Sequence, residues 1–320
     1  TDSVTLMAYG FDPYLSEWSP YHGAYYAVLH SIAKITAMGG SPTKSRLSFQ
    51  EYFPAMRTES HWGLPLSALL GALDAQMDCG VPAIGGKDSM SGTFENLEVP
   101  PTLISFAVGT RRSNAIHSAT LTAVNSALYY IPVPKDDDYL PLIDRYITAL
   151  HVVHSLQKEG RVHCTATVDG NGVAVRVAQM CFGNRLGFSF NGALPEDALF
   201  MPDPGALIVE VPQERIGGST IGRLREIGAI LLGHPSSTPL FTYGEASLTV
   251  EEALDAWQET LEPVWPTTAE FGDLDESKVV TLTQPDSEGN GTDDKAVSDN
   301  QPEAYPGERI LFNSIQRLQT

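Results

Sequence analysis

One segment of the chain gathers the residue types that bind phosphate and metal ions. Residues 81–94 begin with an apolar run, Val81 to Ile84, which predicts a short buried strand ending at two glycines. Glycine lets a backbone approach a ligand closely and direct its N–H groups at oxyanions. The lysine that follows offers a charge for phosphate, the aspartate a hard oxygen ligand for Mg²⁺, and the serines hydroxyl donors. The candidate site residues of this phosphate loop are Gly85, Gly86, Lys87, Asp88, Ser89 and Ser91.

The same residues also suit an ordinary solvated turn, since Gly, Lys, Asp and Ser are all common in turns. The phosphate loop has neither the G-x-x-x-x-G-K-[ST] spacing of a P-loop nor the G-x-G-x-x-G pattern. The residues alone therefore leave both interpretations open.

A second candidate site is the turn Asp169-Gly170-Asn171-Gly172, which lies between a predicted strand and a predicted helix. Backbone N–H groups at a helix N-terminus attract anions, so Asp169, Gly170 and Gly172 are candidates for nucleotide binding. A tight turn with an N-cap explains these residue types as well. His22 precedes the first long helix and is the histidine we expect nearest to a ligand, although helix entry also explains it.

Other catalytic patterns are weak. The histidines lack zinc-site spacing, since His151 and His154 stand three residues apart without a cysteine or carboxylate cluster. No G-x-S-x-G elbow is present. Gln50 and Glu51 follow a predicted strand and could reach the mouth of a site or simply be solvated. We assign no catalytic residue to this chain.

Composition narrows the class of protein. The 320 residues are 42% hydrophobic and 18% charged, without a run long enough to cross a membrane. A net charge of −19 argues against nucleic-acid binding, which needs clustered Lys and Arg. Cys79, Cys164 and Cys181 lie far apart, so we expect reduced core thiols and a cytoplasmic location. The start has no initiator Met or signal peptide, so we expect a piece of a longer polypeptide.

Hydrophobic periodicity predicts two α/β domains followed by a tail. In the first domain, 1–115, we predict helices at 23–38 and 64–77 and strands at 44–53, 81–84 and 101–108. In the second, 116–265, we predict helices at 139–157, 172–182, 219–227 and 248–261 and strands at 126–133, 163–168, 206–211 and 229–232. The tail, 266–320, is acidic and rich in Gly, Ser, Asn and Pro, and we predict that it is largely irregular.

Five segments together resemble the phosphoribosylformylglycinamidine synthase family, and more closely the second of the two homologous halves in its large form. The matching segments are Met7–Pro13, Ser19–Ala24, Leu47–Phe53, Gly85–Ser91 and Met180–Asn184. The resemblance implies an α/β (α+β) fold of the aminoimidazole-ribonucleotide-synthetase-like type. It would have a mixed-sheet N-terminal domain and an α/β C-terminal domain.

The resemblance also implies a function. Enzymes of this family use ATP and glutamine-derived ammonia to amidate formylglycinamide ribonucleotide in purine biosynthesis, through an iminophosphate. Lys87 would then contact phosphate, Asp88 would bind Mg²⁺, and Ser89 would bind the substrate phosphate. The implied partners are the first synthetase-like half and a glutaminase domain of the same polypeptide. We expect no turnover by this chain alone.

Some positions depart from the family pattern. The second half of some large synthases holds an auxiliary Mg²⁺–nucleotide site, with a Glu and an Asn on the first helix and an Asp before the glycine-rich turn. The matching positions here are Ala27, Ser31 and Ala166, so tight ADP binding at that site is not expected. Three hypotheses follow: a contributing half of the ligase, a structural pseudo-half that braces the active module, or a free-standing ATP-dependent synthetase or kinase. A homodimer through a vacant sheet edge is a further expectation.

Overall fold

The computed structural model describes residues 2–267. The predicted tail, 266–320, therefore lies outside the described residues except for its first two positions. The elements up to residue 112 are β1 (Ser3–Gly10), α1 (Pro13–Trp18), α2 (Pro20–Ala37), β2 (Arg46–Tyr52), α3 (Glu59–Cys79), β3 (Ala83–Lys87), β4 (Thr93–Phe94), β5 (Leu97–Glu98) and β6 (Thr102–Arg112).

The elements after residue 112 form a second series. They are β7 (Ser126–Ile131), α4 (Ile143–Lys158), β8 (Thr165–Thr167), α5 (Gly172–Phe182), β9 (Gly187–Phe190), β10 (Leu207–Pro212), α6 (Gly218–Glu226), β11 (Ile230–Ser236), β12 (Leu240–Tyr243), β13 (Ala246–Thr249) and α7 (Val250–Glu259). None of the helices within 2–267 is long and apolar enough to span a membrane.

The first sheet has four strands in the order β1-β6-β2-β3. It is mixed, because β2 and β3 run parallel while β6 is antiparallel to both β1 and β2. Its inner side packs on α2 through buried residues such as Leu6, Leu47 and Leu103. Its outer side is open among the described residues and carries several large apolar side chains. The exposed side chains of this open face include Met7, Tyr9, Tyr52, Phe106 and Val108.

The second sheet has seven strands in the order β13-β12-β9-β11-β7-β10-β8. All its pairings are antiparallel except that between β12 and β9. The predicted mixed α/β class is therefore confirmed. The strands of the two sheets lie within 3–112 and 126–249, while the domain boundary at 115/116 stays a prediction.

Helix α2 joins the two sheets. The buried His30 ring reaches Thr167 of β8, with Nε2 3.2 Å from Oγ1. From the other side, the side-chain amide of Gln157 donates to the carbonyl oxygen of Ala37 at 3.1 Å. These contacts hold α2 against β8 and α4.

Cap residues set the helix ends more accurately than apolar periodicity did. The predicted helix at 23–38 begins earlier, at Pro20, because the Ser19 side chain accepts from the backbone N–H of His22. The predicted helix at 139–157 begins later, at Ile143, since Asp136 ties the preceding turn through the N–H groups of Asp138 and Leu140. The three cysteines are buried free thiols, which confirms their predicted core role.

The sequence prediction missed several elements and shortened one. It did not assign β1, α1, the β4–β5 hairpin, β9, β12 or β13 to secondary structure. The predicted strand at 229–232 continues to Ser236, although Pro235 and Gly233 both argue against a strand there. An irregular register between Leu231 and Gly233 lets β11 continue beside β9.

Candidate functional site

The strand predicted at 81–84 is β3, Ala83–Lys87, but the prediction that it is buried was wrong, because β3 is an edge strand and Ile84 is exposed. Gly85, Gly86 and Lys87 belong to β3, and the rest of the phosphate loop follows its end. Gly85 to Asp88 are exposed, as is Ser91, while Ser89 is half-buried. The backbone of Ser89 is fixed, since its N–H donates to the Glu51 carbonyl at 2.9 Å and its carbonyl accepts from Phe53 at 2.8 Å. The loop is therefore anchored at its centre and open to a ligand on either side.

Gly86 is required by the sheet itself. A Cβ at this position would lie 2.6 Å from the carbonyl oxygen of Phe49, a backbone atom of β2. Any side chain at Gly86 would force β3 away from β2. The glycine therefore sets the close strand pairing that places Lys87 opposite Gln50.

Glu51 and Asp88 form a pair of carboxylates beside the loop. Glu51 lies on the inner side of β2 and is only 7% exposed. Burial, with a smaller contribution from Asp88, raises the pKa of Glu51 to about 7. A divalent cation suits a buried carboxylate beside a second one, because its charge offsets both the burial and the repulsion that raise the pKa of Glu51.

Lys87 lies on the opposite side of the sheet from this pair. Its Nζ is 5.6 Å from the ring centroid of Tyr52, a residue of the exposed outer side. Side chains alternate along a strand, so Lys87 shares a face with Gln50 and Tyr52, and Asp88 shares one with Glu51. The loop thus offers a cation to the open face and a carboxylate pair to the inner face.

The turn at 169–172 is occupied by its own contacts. Asp169 accepts from the backbone N–H of Asn171 at 2.9 Å and from the Arg176 guanidinium at 2.6 Å. Gly170 faces α1, because a Cβ there would lie 2.9 Å from the Asp12 carboxylate. Gly172 has a φ of +82° and begins α5. Asp169, Gly170 and Gly172 are thus together, with the Asp169 carboxylate already paired.

His22 is part of a different set of contacts. Its Nδ1 is 2.8 Å from the Ser19 hydroxyl, and its Nε2 is 3.0 Å from the carbonyl oxygen of Asp138. The ring also packs on Trp18 with 4.9 Å between centroids. Both nitrogens therefore bond to protein atoms, and His22 ties the start of α2 to the 136–139 turn.

Lys34 is a charged residue of this region that sequence reasoning missed. Its Nζ donates to the carbonyl oxygen of Tyr9 at 2.8 Å and lies 4.3 Å from the Tyr9 ring centroid. Burial, together with Arg176, lowers the pKa of Lys34 to about 8, while Asp169 acts in the opposite direction. Lys34 and Arg176 thus bring two cations to the start of α5.

The three positions that depart from the family pattern are packed in the core. The Ser31 hydroxyl bonds to Ser105 of β6 at 2.9 Å, and Ala27 lies against the end of β1 at Gly10. Ala166 is buried in β8, where it pairs with Ile208. The α2 side chain that reaches β8 is instead His30.

Solved structures identify the fold. No family model and no curated protein matches the chain. Thermotoga maritima PurL complexed with FGAR matches with a TM-score of 0.63 at 14% identity, over 78% of this chain and 46% of that one. The hydrogenase maturation protein HypE matches with a TM-score of 0.56 at 15% identity, over 78% of this chain and 88% of that one.

The chain has the fold shared by PurL and HypE, an aminoimidazole-ribonucleotide-synthetase-like fold. PurL in complex with ATP matches equally well, with a TM-score of 0.64. The chain spans less than half the length of these two PurL structures, which it covers to 46% and 44%.

Within the PurL-like fold of this chain, the described residues form no cluster of three or more metal-binding side chains. Glu51 and Asp88 are two hard oxygen donors, and Asp88 is close enough to contribute to the raised pKa of Glu51. This pair fits Mg²⁺, because Mg²⁺ is commonly held by one or two carboxylates with substrate phosphates and water. The sequence signal for Glu51 was its position at the end of a predicted strand. Its burial could not be foreseen from the sequence.

Proposed function

We propose that this chain is the second synthetase-like half of a phosphoribosylformylglycinamidine synthase, an ATP-dependent ligase of purine biosynthesis. The fold shared with PurL supports the class, and the five motif segments support the half. The single observation that carries the proposal is the anchored phosphate loop beside the Glu51–Asp88 pair.

The residues of the loop would divide the work of binding. Lys87 would attract the phosphate of a ribonucleotide at the exposed edge of the sheet, and Ser89, Ser91 and the backbone at Gly85 and Gly86 would donate hydrogen bonds. Asp88, with Glu51, would hold Mg²⁺. When bound, Mg²⁺ neutralises phosphate charge and orients the phosphoryl group of ATP. The residues of this chain would position the substrate and balance its charge.

The open face of the first sheet would receive the partner. Exposed Met7, Tyr9, Phe106 and Val108 lie side by side on β1 and β6. A contiguous apolar sheet face of this kind marks an interaction surface. We propose that the first synthetase-like half of the same polypeptide covers it, with the glutaminase domain supplying ammonia. For this chain alone, a second copy is the expected substitute.

A structural role is the second candidate, and the turn at 169–172 favours it. The Asp169 carboxylate is paired with Arg176, and Lys34 and His30 are the α2 side chains closest to that region. Side chains that already hydrogen-bond to other protein groups are less available to bind a nucleotide. We therefore consider binding at the phosphate loop better supported than binding of ADP or ATP by Asp169, Gly170, Gly172 and His22.

A free-standing synthetase or kinase is the third candidate. HypE, which also matches in its complex with ATP, is covered to 84% by this chain. That near-complete coverage shows that a module of about this length exists as a protein of its own. The motif segments favour the ligase half over this candidate.

Thermal unfolding with ligands tests the ligase proposal. We expect formylglycinamide ribonucleotide with Mg²⁺ to stabilise the wild type by about 2.7 kcal/mol at a hundredfold excess over the dissociation constant. Lys87→Gln should lose most of this stabilisation, and Asp88→Asn should lose its dependence on Mg²⁺. ATP and ADP are tested in parallel.

The matched control for this experiment is Arg215→Gln, which removes an exposed cation of a distant turn. It should respond to ligand like the wild type. A stabilisation unchanged in Lys87→Gln and Asp88→Asn would contradict the proposed loop. No stabilisation by any ligand would favour the structural role.

The open face gives a separate prediction about association. We expect the wild-type chain to form a dimer at high concentration, since four large apolar side chains of one face are exposed. Phe106→Lys should shift the chain to monomer, because it places a charge at the centre of the face. Light scattering during size-exclusion chromatography measures the mass. Trp257→Lys, on the exposed side of α7, is the control, and a wild-type monomer throughout would contradict the prediction.

A further inference from the structure

Two adjoining clefts lie at the far end of β6, away from the phosphate loop. The larger, of about 680 Å³, is lined by the end of β6, the linker to β7 and the end of α4. The smaller, of about 440 Å³, is lined by the α2–β2 connection, β6 and α4. Arg111 and Lys158 line both clefts, so the two form one continuous groove, here called the basic groove.

The basic groove concentrates positive charge in an acidic protein. Arg112 lines the larger cleft and Lys44 the smaller, in addition to the shared Arg111 and Lys158. No carboxylate within residues 2–267 lines either cleft, although the chain carries a net charge of −19. None of the four cations forms an ion pair with a described residue. Cations that line the same groove repel one another, and an anion bound there relieves that repulsion.

A buried histidine nitrogen also points to a ligand in the groove. His154 lines the smaller cleft, and its Nε2 is buried without a hydrogen-bond partner among the described residues. Burial, with Arg111 and Lys158, lowers the pKa of His154 to about 4, so the ring is neutral at pH 7. In the larger cleft, Nδ1 of His117 lies 3.2 Å from the carbonyl oxygen of His163, so this histidine, unlike His154, has a partner within the protein. The neutral His154 ring can offer an N–H to an anion that lies between Arg111 and Lys158.

The wall of the groove is held in place by close backbone packing. Gly39 has a φ of +93°, and a Cβ there would lie 2.7 Å from the carbonyl oxygen of Ala115. The N–H of His117 donates to the carbonyl oxygen of Met38 at 3.1 Å. The Nε of Arg111 donates to the carbonyl oxygen of Ala115 at 3.4 Å. These contacts fix the linker against the end of α2, so the groove is formed before any ligand binds.

We propose that the basic groove binds a polyphosphate group, that is, two or more linked phosphates of a small molecule. Arg111 and Lys158 stand at the junction of the clefts, with Arg112 towards one end and Lys44 towards the other. A single phosphate reaches only the junction, whereas linked phosphates reach cations of both clefts. Guanidinium groups suit the paired oxygens of phosphate.

The groove is independent of the proposed ligase function. None of the phosphate-loop residues lines either cleft, and the groove lies on β6 and α4 rather than at the end of β3. Its binding does not require Mg²⁺, because the cations are supplied by the protein. The two sites can therefore be tested separately in the same chain.

Isothermal titration calorimetry of the full 320-residue chain tests the proposal, with inorganic pyrophosphate and tripolyphosphate in metal-free buffer at pH 7.5. We expect binding by the wild type that weakens as salt increases. Arg111→Gln and Lys158→Gln should each raise the dissociation constant about tenfold, the usual cost of one charge-assisted hydrogen bond. Lys158 is exposed at the end of α4, so its variant should fold even if Arg111→Gln does not.

Two control variants locate the binding. Arg215→Gln removes the same charge elsewhere and should bind like the wild type. Lys87→Gln removes the cation of the phosphate loop, and loss of binding in Lys87→Gln with binding retained in Arg111→Gln and Lys158→Gln would assign the ligand to that loop and overturn the proposal. Equal affinity for orthophosphate would overturn the requirement for linked phosphates. Equal displacement by polyglutamate, or no binding at all, would overturn the polyphosphate assignment.

Discussion

At pH 8 the Glu51→Gln variant should be more stable than the wild type by about 3 kcal/mol, whereas at pH 4 the two should be nearly equal. The reason is the burial of Glu51 beside Asp88, which raises the pKa of the Glu51 carboxyl to about 7. Gln keeps the shape of the side chain but has no proton to lose. Urea unfolding from pH 4 to pH 9 measures the difference.

The sign follows from the protons bound in each state. Between its unfolded pKa, about 4.3, and its folded pKa, Glu51 is protonated in the folded protein and ionised in the unfolded chain. The unfolded state therefore binds fewer protons, and the wild-type free energy of unfolding falls as the pH rises through this window. The loss is complete above pH 7. Below the unfolded pKa the contribution of Glu51 is fully retained.

Asp88→Asn is the control for the origin of this effect. Asp88 is the smaller cause of the raised pKa of Glu51, and burial is the larger. The variant should therefore keep most of the wild-type dependence on pH. Millimolar Mg²⁺ at pH 8 should stabilise the wild type and leave Glu51→Gln unchanged, because a bound cation offsets the buried charge. A constant difference between Glu51→Gln and wild type at every pH would refute the assignment.

The parts of the fold that were predictable are those whose signal is local. Helix α2 shows an apolar period, although the structure buries it on nearly all sides and not on one face only, and the phosphate loop follows an apolar run that stops at two glycines. Both features belong to neighbouring residues and survive any tertiary arrangement. They were predicted for this reason.

Strand β1 was missed because its alternation is hidden. Leu6 and Ala8 face the core, yet Met7 and Tyr9 between them are apolar as well. The outer side of this sheet carries apolar residues, so no period of two is visible in the sequence. The property that makes this surface suitable for a partner is the one that obscured the strand.

The candidate sites depended on contacts distant in sequence. The raised pKa of Glu51 comes mainly from burial, with a smaller contribution from Asp88, which the parallel pairing of β2 with β3 brings near from 37 positions away. The basic groove combines Lys44, Arg111 and Lys158 from three separate segments. In the sequence each residue is one more solvated charge. They come together because the α2–β2 connection, the end of β6 and the end of α4 line the same groove.

Gly10→Ala should lower the free energy of unfolding by about 3 kcal/mol, a change as large as that expected for Glu51→Gln but of opposite sign. The Tm should fall by about 6–12 °C. Gly10 ends β1 where α2 crosses it. A Cβ there would overlap the carbonyl oxygen of Ala27 and lie 2.9 Å from the backbone nitrogen of Ser31. These are backbone atoms of a buried helix and cannot rotate away, so α2 as a whole must shift. Thermal unfolding by circular dichroism measures the loss.

Gly63→Ala is the matched control for this substitution. Gly63 lies in α3, and a Cβ there would meet open space. Alanine should therefore raise stability slightly, by about 0.5–1 kcal/mol, because it restricts the unfolded chain and favours helix. The same added methyl group thus has opposite effects at the end of β1 and within α3. If Gly10→Ala were as stable as Gly63→Ala, α2 would not be held as closely against β1 as the structure shows. The contact between Lys34 and Tyr9, which depends on that approach, would then be lost as well.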